Sequence, residues 1–136
     1  MKILHEDDLT QIRHDPAQNC IEWEVKAFVP SKELMEFFEK VYDYSNEYNC
    51  TKNLVDMTKM GVIPEDVQDW FQESWFPKMI KIGVKQFALI NSKSVITKMS
   101  VEKMDKDIEF MKEKFGITTA YFDNMEDAKA YLASNQ

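Results

Sequence analysis

The sequence predicts a single α/β domain over residues 1–136: a mixed, mostly parallel β-sheet that opens with an antiparallel hairpin and continues through four helices in the order ββαβαβαβα. Three observations carry this. Apolar residues alternate with period two near the start of the chain, as in 20–25. From Pro30 onward the repeat changes to the three-and-four spacing of amphipathic helices. Between those helices stand short apolar runs, 53–57, 86–90 and 118–122, of a length suited to buried strands. Helices alternating with such runs make right-handed crossovers onto a parallel sheet.

Residues 3–5 and 9–13 read as short, partly alternating strands. Asp15-Pro16-Ala17-Gln18-Asn19 is a turn by composition. In 20–25, Ile21, Trp23 and Val25 share one face, and Glu22 and Glu24 the other, as in a half-exposed strand paired with the one before it. A helix then starts at Pro30-Ser31, its stripe running through Leu34, Phe37, Phe38, Val41, Tyr44, Ser45 and Tyr48 to an end near Asn49.

Pro64 suits the first position of a second helix, with Glu65 and Asp66 at the positive end of its dipole. Val67, Trp70, Phe71, Trp75 and Met79 form its buried stripe, and Gly83 stops it. Together with Phe76, these are too many large rings for one stripe, so some belong at the margin of the buried face; core packing is the default reading, and a pocket or an interface the alternative. Val101, Met104, Ile108, Met111 and Phe115 mark a third helix ending at Gly116. Asp123-Asn124-Met125-Glu126 is a D-x-x-E capping box opening a terminal helix through Ala128 and Leu132.

At 136 residues and 44% hydrophobic the chain is long and apolar enough for a packed core. A net charge of -7 repels phosphate backbones and anionic lipid, so nucleic acid is not an expected partner. No run approaches the ~18 apolar residues of a membrane span, and the opening segment is too short for a signal peptide. A cytoplasmic protein with reduced thiols follows, since Cys20 and Cys50 have neither CxxC nor metal-ligand spacing and His5 and His14 are isolated. No metal or other cofactor is expected. Ser92 and Ser94 lack a G-x-S-x-G elbow, and Gly61, Gly83 and Gly116 never cluster into a nucleotide loop. Glu6-Asp7-Asp8 pairs carboxylates only as a solvated terminal run. The chain is therefore expected not to be an enzyme.

Candidate contact residues come from the fold. In open α/β sheets ligands and partners dock outside the carboxyl ends of the strands. Asp56, Thr58 and Lys59 follow one strand, Asn91 and Ser92 the next, and Glu65 and Asp66 begin the intervening helix. Asp56 equally suits an Asx turn that caps its own loop.

The order of elements, the segment Leu54-Val55-Asp56-Met57-Thr58-Lys59-Met60-Gly61-Val62-Ile63, the run from Trp75 to Gly83 and the ending from Tyr121 to Ala128 resemble the STAS domains of bacterial anti-sigma-factor antagonists. The branch most similar is that of small stand-alone proteins that also resemble lipid-carrying CRAL-TRIO domains. The resemblance implies a non-enzymatic regulatory domain that presents the Asp56–Asp66 loop, the helix start and its exposed face to a protein partner. The alternative is a module for a small apolar or lipid-like ligand, enclosed by the aromatic side chains and by methionines such as Met57, Met60 and Met104. Where the antagonists carry an Asp-Ser-Ser/Ala-Gly phosphorylation motif, this chain reads Ile63-Pro64-Glu65-Asp66, with no hydroxyl. Glu65 or Asp66 would there be either a fixed negative charge or an ordinary helix cap. The opening hairpin leaves a strand edge open to homodimer pairing.

Overall fold

The computed structural model describes residues 1–134. Its sheet has six strands: β1 (Lys2–Glu6), β2 (Thr10–Asp15), β3 (Cys20–Val25), β4 (Lys52–Asp56), β5 (Gln86–Ile90) and β6 (Thr118–Phe122). They lie side by side in chain order, antiparallel from β1 to β3 and parallel from β3 to β6. The mixed, mostly parallel α/β fold is thus as the sequence predicts, and the short strand read at residues 3–5 is present as β1. Residues 2–6 extend the opening hairpin into a three-stranded meander, and a register shift between Ile3 and His5 interrupts the outer strand.

Helix α1 (Ser31–Glu47) joins β3 to β4. The next crossover contains α2 (Glu65–Trp70), a π-helical segment (Phe71–Trp75) and α3 (Phe76–Lys81). The crossover after β5 holds α4 (Val95–Asp107) and α5 (Glu109–Phe115), and α6 (Met125–Ser134) follows β6. Each parallel strand is added on the same side of its predecessor, so right-handed crossovers place the helical pieces from α1 to α5 on one face of the sheet. The main core forms there, between Ile21, Trp23, Val55 and Phe87 of the strands and Phe38, Val41, Trp75, Met79, Val101 and Met104 of the helices. α6 covers the other face alone, burying Ala128 and Leu132 against Cys20, Leu54, Ala88 and Ile90.

Three local expectations are corrected. The third helix begins six residues before Val101, where the Ser94 hydroxyl accepts a bond from the Thr97 N–H at 3.3 Å, and it breaks at Ile108 (φ -102°, ψ 7°). β-branched Val95, Ile96 and Thr97 obscured that start in the sequence. The terminal cap is Asn124 rather than Asp123: its side-chain oxygen accepts from the Asp127 N–H at 2.8 Å, and its amide donates to the Asp127 carboxylate. Lastly, the polar face of β3 is not solvated. Glu22 is buried, accepting from Arg13 Nε at 3.2 Å, while Lys129 of α6 stands 3.3 Å from its other oxygen.

The π-helical segment accounts for the surplus of rings. One extra residue per turn rotates the following side chains, so Trp75 and Phe76 are both fully buried and Phe71 stacks on Trp75 at 5.2 Å. The Trp75 indole N–H donates to the Phe38 carbonyl at 2.7 Å, and that of Trp23 to Asn53 Oδ1 at 2.9 Å, so both buried donors are satisfied. No helix among the described residues is long and apolar enough to cross a membrane.

Candidate functional site

The parallel register aligns Asp56, Ile90 and Phe122 across the ends of β4, β5 and β6, giving the common rim that the sequence implies. Met57 N–H donates to the Ile90 carbonyl, Asn91 N–H to that of Phe122 and Lys93 N–H to that of Thr58, so the loops after β4 and β5 lie against each other. Asp56, Thr58, Lys59, Asn91 and Ser92 are therefore neighbours. Their side chains are largely occupied within the rim. Asp56 Oδ1 accepts from the Thr58 N–H at 3.0 Å, which is the Asx turn. The Asn91 amide donates to Asp123 at 3.0 Å, and the Ser92 hydroxyl accepts from the Ser94 N–H. Lys59 is exposed.

Glu65 and Asp66 belong to a different setting. Asp66 accepts 2.7 Å from the Ser31 hydroxyl at the start of α1, as well as from the Val67 N–H. It borders an open groove between α1 and α2 with Lys32, Glu36, Trp70 and Lys78. The contact residues taken together from the sequence thus divide between a strand-tip rim and a helix–helix groove.

Beneath the rim lies a feature of another kind, a cavity of about 60 Å³ between the helix-bearing face of the sheet, the π-helical segment and the α4–α5 junction. Its wall is made by aromatic Trp23, Phe38, Phe71, Trp75, Phe76 and Phe87, by Met57, Met60 and Met104, and by aliphatic neighbours including Val55, Ile63 and Leu89. The volume exceeds the ~10–15 Å³ that one water needs, but a wall of this kind offers water few partners. The same wall draws on all three crossovers, the loop after β4 included.

The cavity's polar lining residues are Asp105 of α4 and Thr119 and Tyr121 of β6, the last of them exposed. These converge. Tyr121 OH donates to Asp105 Oδ2 at 2.9 Å and Thr119 Oγ1 donates to the same carboxylate at 3.1 Å from Oδ1. Lys112 Nζ bonds Asp105 Oδ1 at 2.5 Å and Thr119 Oγ1 at 2.8 Å. Partial desolvation of the phenol end, the adjacent Asp105 charge and the bond to it all hold the Tyr121 phenol above its usual ionisation range, so it stays a donor at neutral pH. Sequence reasoning missed this quartet because its members lie on three elements. Two signals were present: Asp105 follows Val101 by four on the buried helix stripe, and Thr119 and Tyr121 share a strand face by alternation.

Other polar groups serve the scaffold. Lys52 is buried and donates to the Leu132 carbonyl of α6 at 2.7 Å. Cys20 and Cys50 are free and buried; burial pushes the Cys50 thiol up to about 11, so it resists ionisation. Among the described residues no three His, Cys, Asp or Glu side chains are grouped to hold a metal ion. Neither a family model nor a curated protein matches the chain.

Proposed function

We propose that this protein is a binding module for a small, largely apolar ligand, held in the cavity beneath the strand tips. The observation that carries this reading is the wall itself. Six aromatic rings and three thioethers surround a void, where a core meant only for stability closes such space. A void of about 60 Å³ is smaller than the roughly 150 Å³ that accommodates benzene, so entry requires side chains to yield. Met57, Met60 and Met104 can do so at little cost because unbranched thioethers repack readily. The π-helical segment places Phe71 and Trp75 in the wall, and such irregular turns recur at functional sites.

Filling the space tests the reading. Val101→Phe adds a ring inside the wall; native mass spectrometry of protein purified without detergent should show a co-purifying apolar molecule on the parent chain and none on the variant. The variant should keep or raise the parent's melting temperature. A parent chain that carries nothing, and whose tryptophan fluorescence ignores added short-chain or aromatic compounds, would refute the assignment.

The groove between α1 and α2 favours a second reading, the regulatory, non-enzymatic role implied by the STAS resemblance. Its side chains of both charges and half-buried Trp70 suit a protein partner in the cytoplasm. Under that reading Asp66→Arg abolishes capture of the partner, whereas Asp56→Arg, at the separate rim, leaves it intact.

A further inference from the structure

We propose that β6 is a docking edge for a second copy of this chain, the two β6 strands pairing antiparallel about a two-fold axis at Ala120. The inference is independent of the cavity reading and rests on how the two ends of the sheet differ.

With its strands in the order β1 to β6, the sheet has outer edges at β1 and β6. Unpaired edges invite association, and proteins blunt them with charge, proline or a bulge. β1 is blunted in this way: exposed Lys2 and Glu6 flank a register shift between Ile3 and His5. β6 has none of these devices. Thr118-Thr119-Ala120-Tyr121-Phe122 carries no charge and no proline, and its register on β5 runs unbroken from Gln86 opposite Thr118 to Ile90 opposite Phe122. The neighbouring helices leave it open. α6 buries Ala128 and Leu132 against residues of β3, β4 and β5, and α5 has no buried residue.

The occupant follows from the free backbone groups. Thr118 N–H donates to the Lys85 carbonyl and the Phe122 carbonyl accepts from Asn91 N–H, so the even-numbered residues of β6 bond to β5. Thr119 and Tyr121 therefore turn their N–H and C=O groups outward, one on each side of Ala120. A second β6 laid antiparallel sets Thr119 opposite Tyr121 of the copy, where the two exchange both bonds, and the two-fold axis repeats the exchange. Ala120 then faces Ala120 across about 4.5 Å, the close position of an antiparallel ladder. Thr118 meets Phe122 and Thr119 meets Tyr121, and pairs of β-branched with aromatic residues stabilise such ladders. No like charges are opposed along the strand. Pairing β6 with β1 of a copy would instead be head-to-tail and open-ended, and the blunted β1 edge stands against it.

Five residues a side make a small interface, so the dimer is weak, with a dissociation constant on the order of 10–100 μM. Sedimentation of the full chain, from tenfold below to tenfold above that range, should show monomer giving way to dimer. Ala120→Lys and Ala120→Glu set like charges against each other at the axis, and each alone should weaken the dimer at least about tenfold. Mixed in equal amounts, the two variants should associate at least as tightly as the parent, a rescue that misfolded chains do not give. Should neither variant fold, hydrogen exchange of the parent decides: the Thr119 and Tyr121 amides should slow with rising concentration while those of β1 stay unchanged.

A parent that remains monomeric throughout, or a dimer that survives both substitutions, would overturn the inference. Failure of the mixed variants to associate, or protection that appears along β1 instead, would overturn it as well.

Discussion

Single residues bear sharply different loads in this chain. A Cβ placed on Gly61 would stand 2.5 Å from the Phe28 Cα, because the loop after β4 crosses the segment after β3 with a Gly61 N–H bond to the Ala27 carbonyl. The obstacle is backbone, which cannot swing aside. Gly61→Ala should cost about 1–3 kcal/mol in urea unfolding, the range for overpacking, and should broaden the Trp23 indole signal nearby. Tyr121 gives a pH dependence with a definite sign. Its folded pKa is raised, so the unfolded chain releases the phenolic proton first. Stability from this group is complete below the ordinary value near 10 and is lost as pH rises beyond it. Tyr121→Phe should flatten that alkaline part of the stability curve, as measured by urea midpoints from pH 9 to 11.

At the scale of elements, caps and irregular turns decide where the chain changes direction. Ser94 supplies the first bond of α4, and Ser94→Ala should lower stability by about 1 kcal/mol in chemical unfolding without altering ligand affinity. This start was hard to read because its first turn holds Val95, Ile96 and Thr97, which favour strands, and because Val95 and Ile96 are exposed where an amphipathic stripe would bury them. The stripes of α1 and of the crossover from Glu65 to Lys81 were legible, as were the breaks at Gly83 and Gly116, both at positive φ. The π-helical turn was legible only as an excess of rings, since no residue type prescribes an extra i→i+5 bond. The candidate site follows the same division. The strand-tip rim could be placed from strand order alone. The quartet around Asp105 could not, because Lys112, Thr119 and Tyr121 meet it through three-dimensional packing, and Glu22 sat unnoticed as a buried charge until α6 brought Lys129 over it.

Across the whole molecule, the two faces of the sheet have unequal duties. One carries six helical pieces and the cavity; the other is sealed by α6 with Lys52 reaching through to the Leu132 carbonyl. Lys52→Met removes that donor from a buried carbonyl, and a loss of roughly 1–3 kcal/mol is expected. Hydrogen exchange should show the loss concentrated in α6, with the cavity wall unchanged. An equal loss of protection across α1 and the π-helical turn would mean that the two layers are not energetically separable.

The sheet's plain numerical order has a consequence for synthesis on the ribosome. Every strand after β1 finds a pairing partner among residues already translated, so none must wait for a later segment to be threaded between neighbours. The growing ribbon can lengthen one strand at a time, each addition protecting the previous edge. Nascent chains arrested at successive lengths should accordingly gain protease resistance in steps, beginning with the amino-terminal meander.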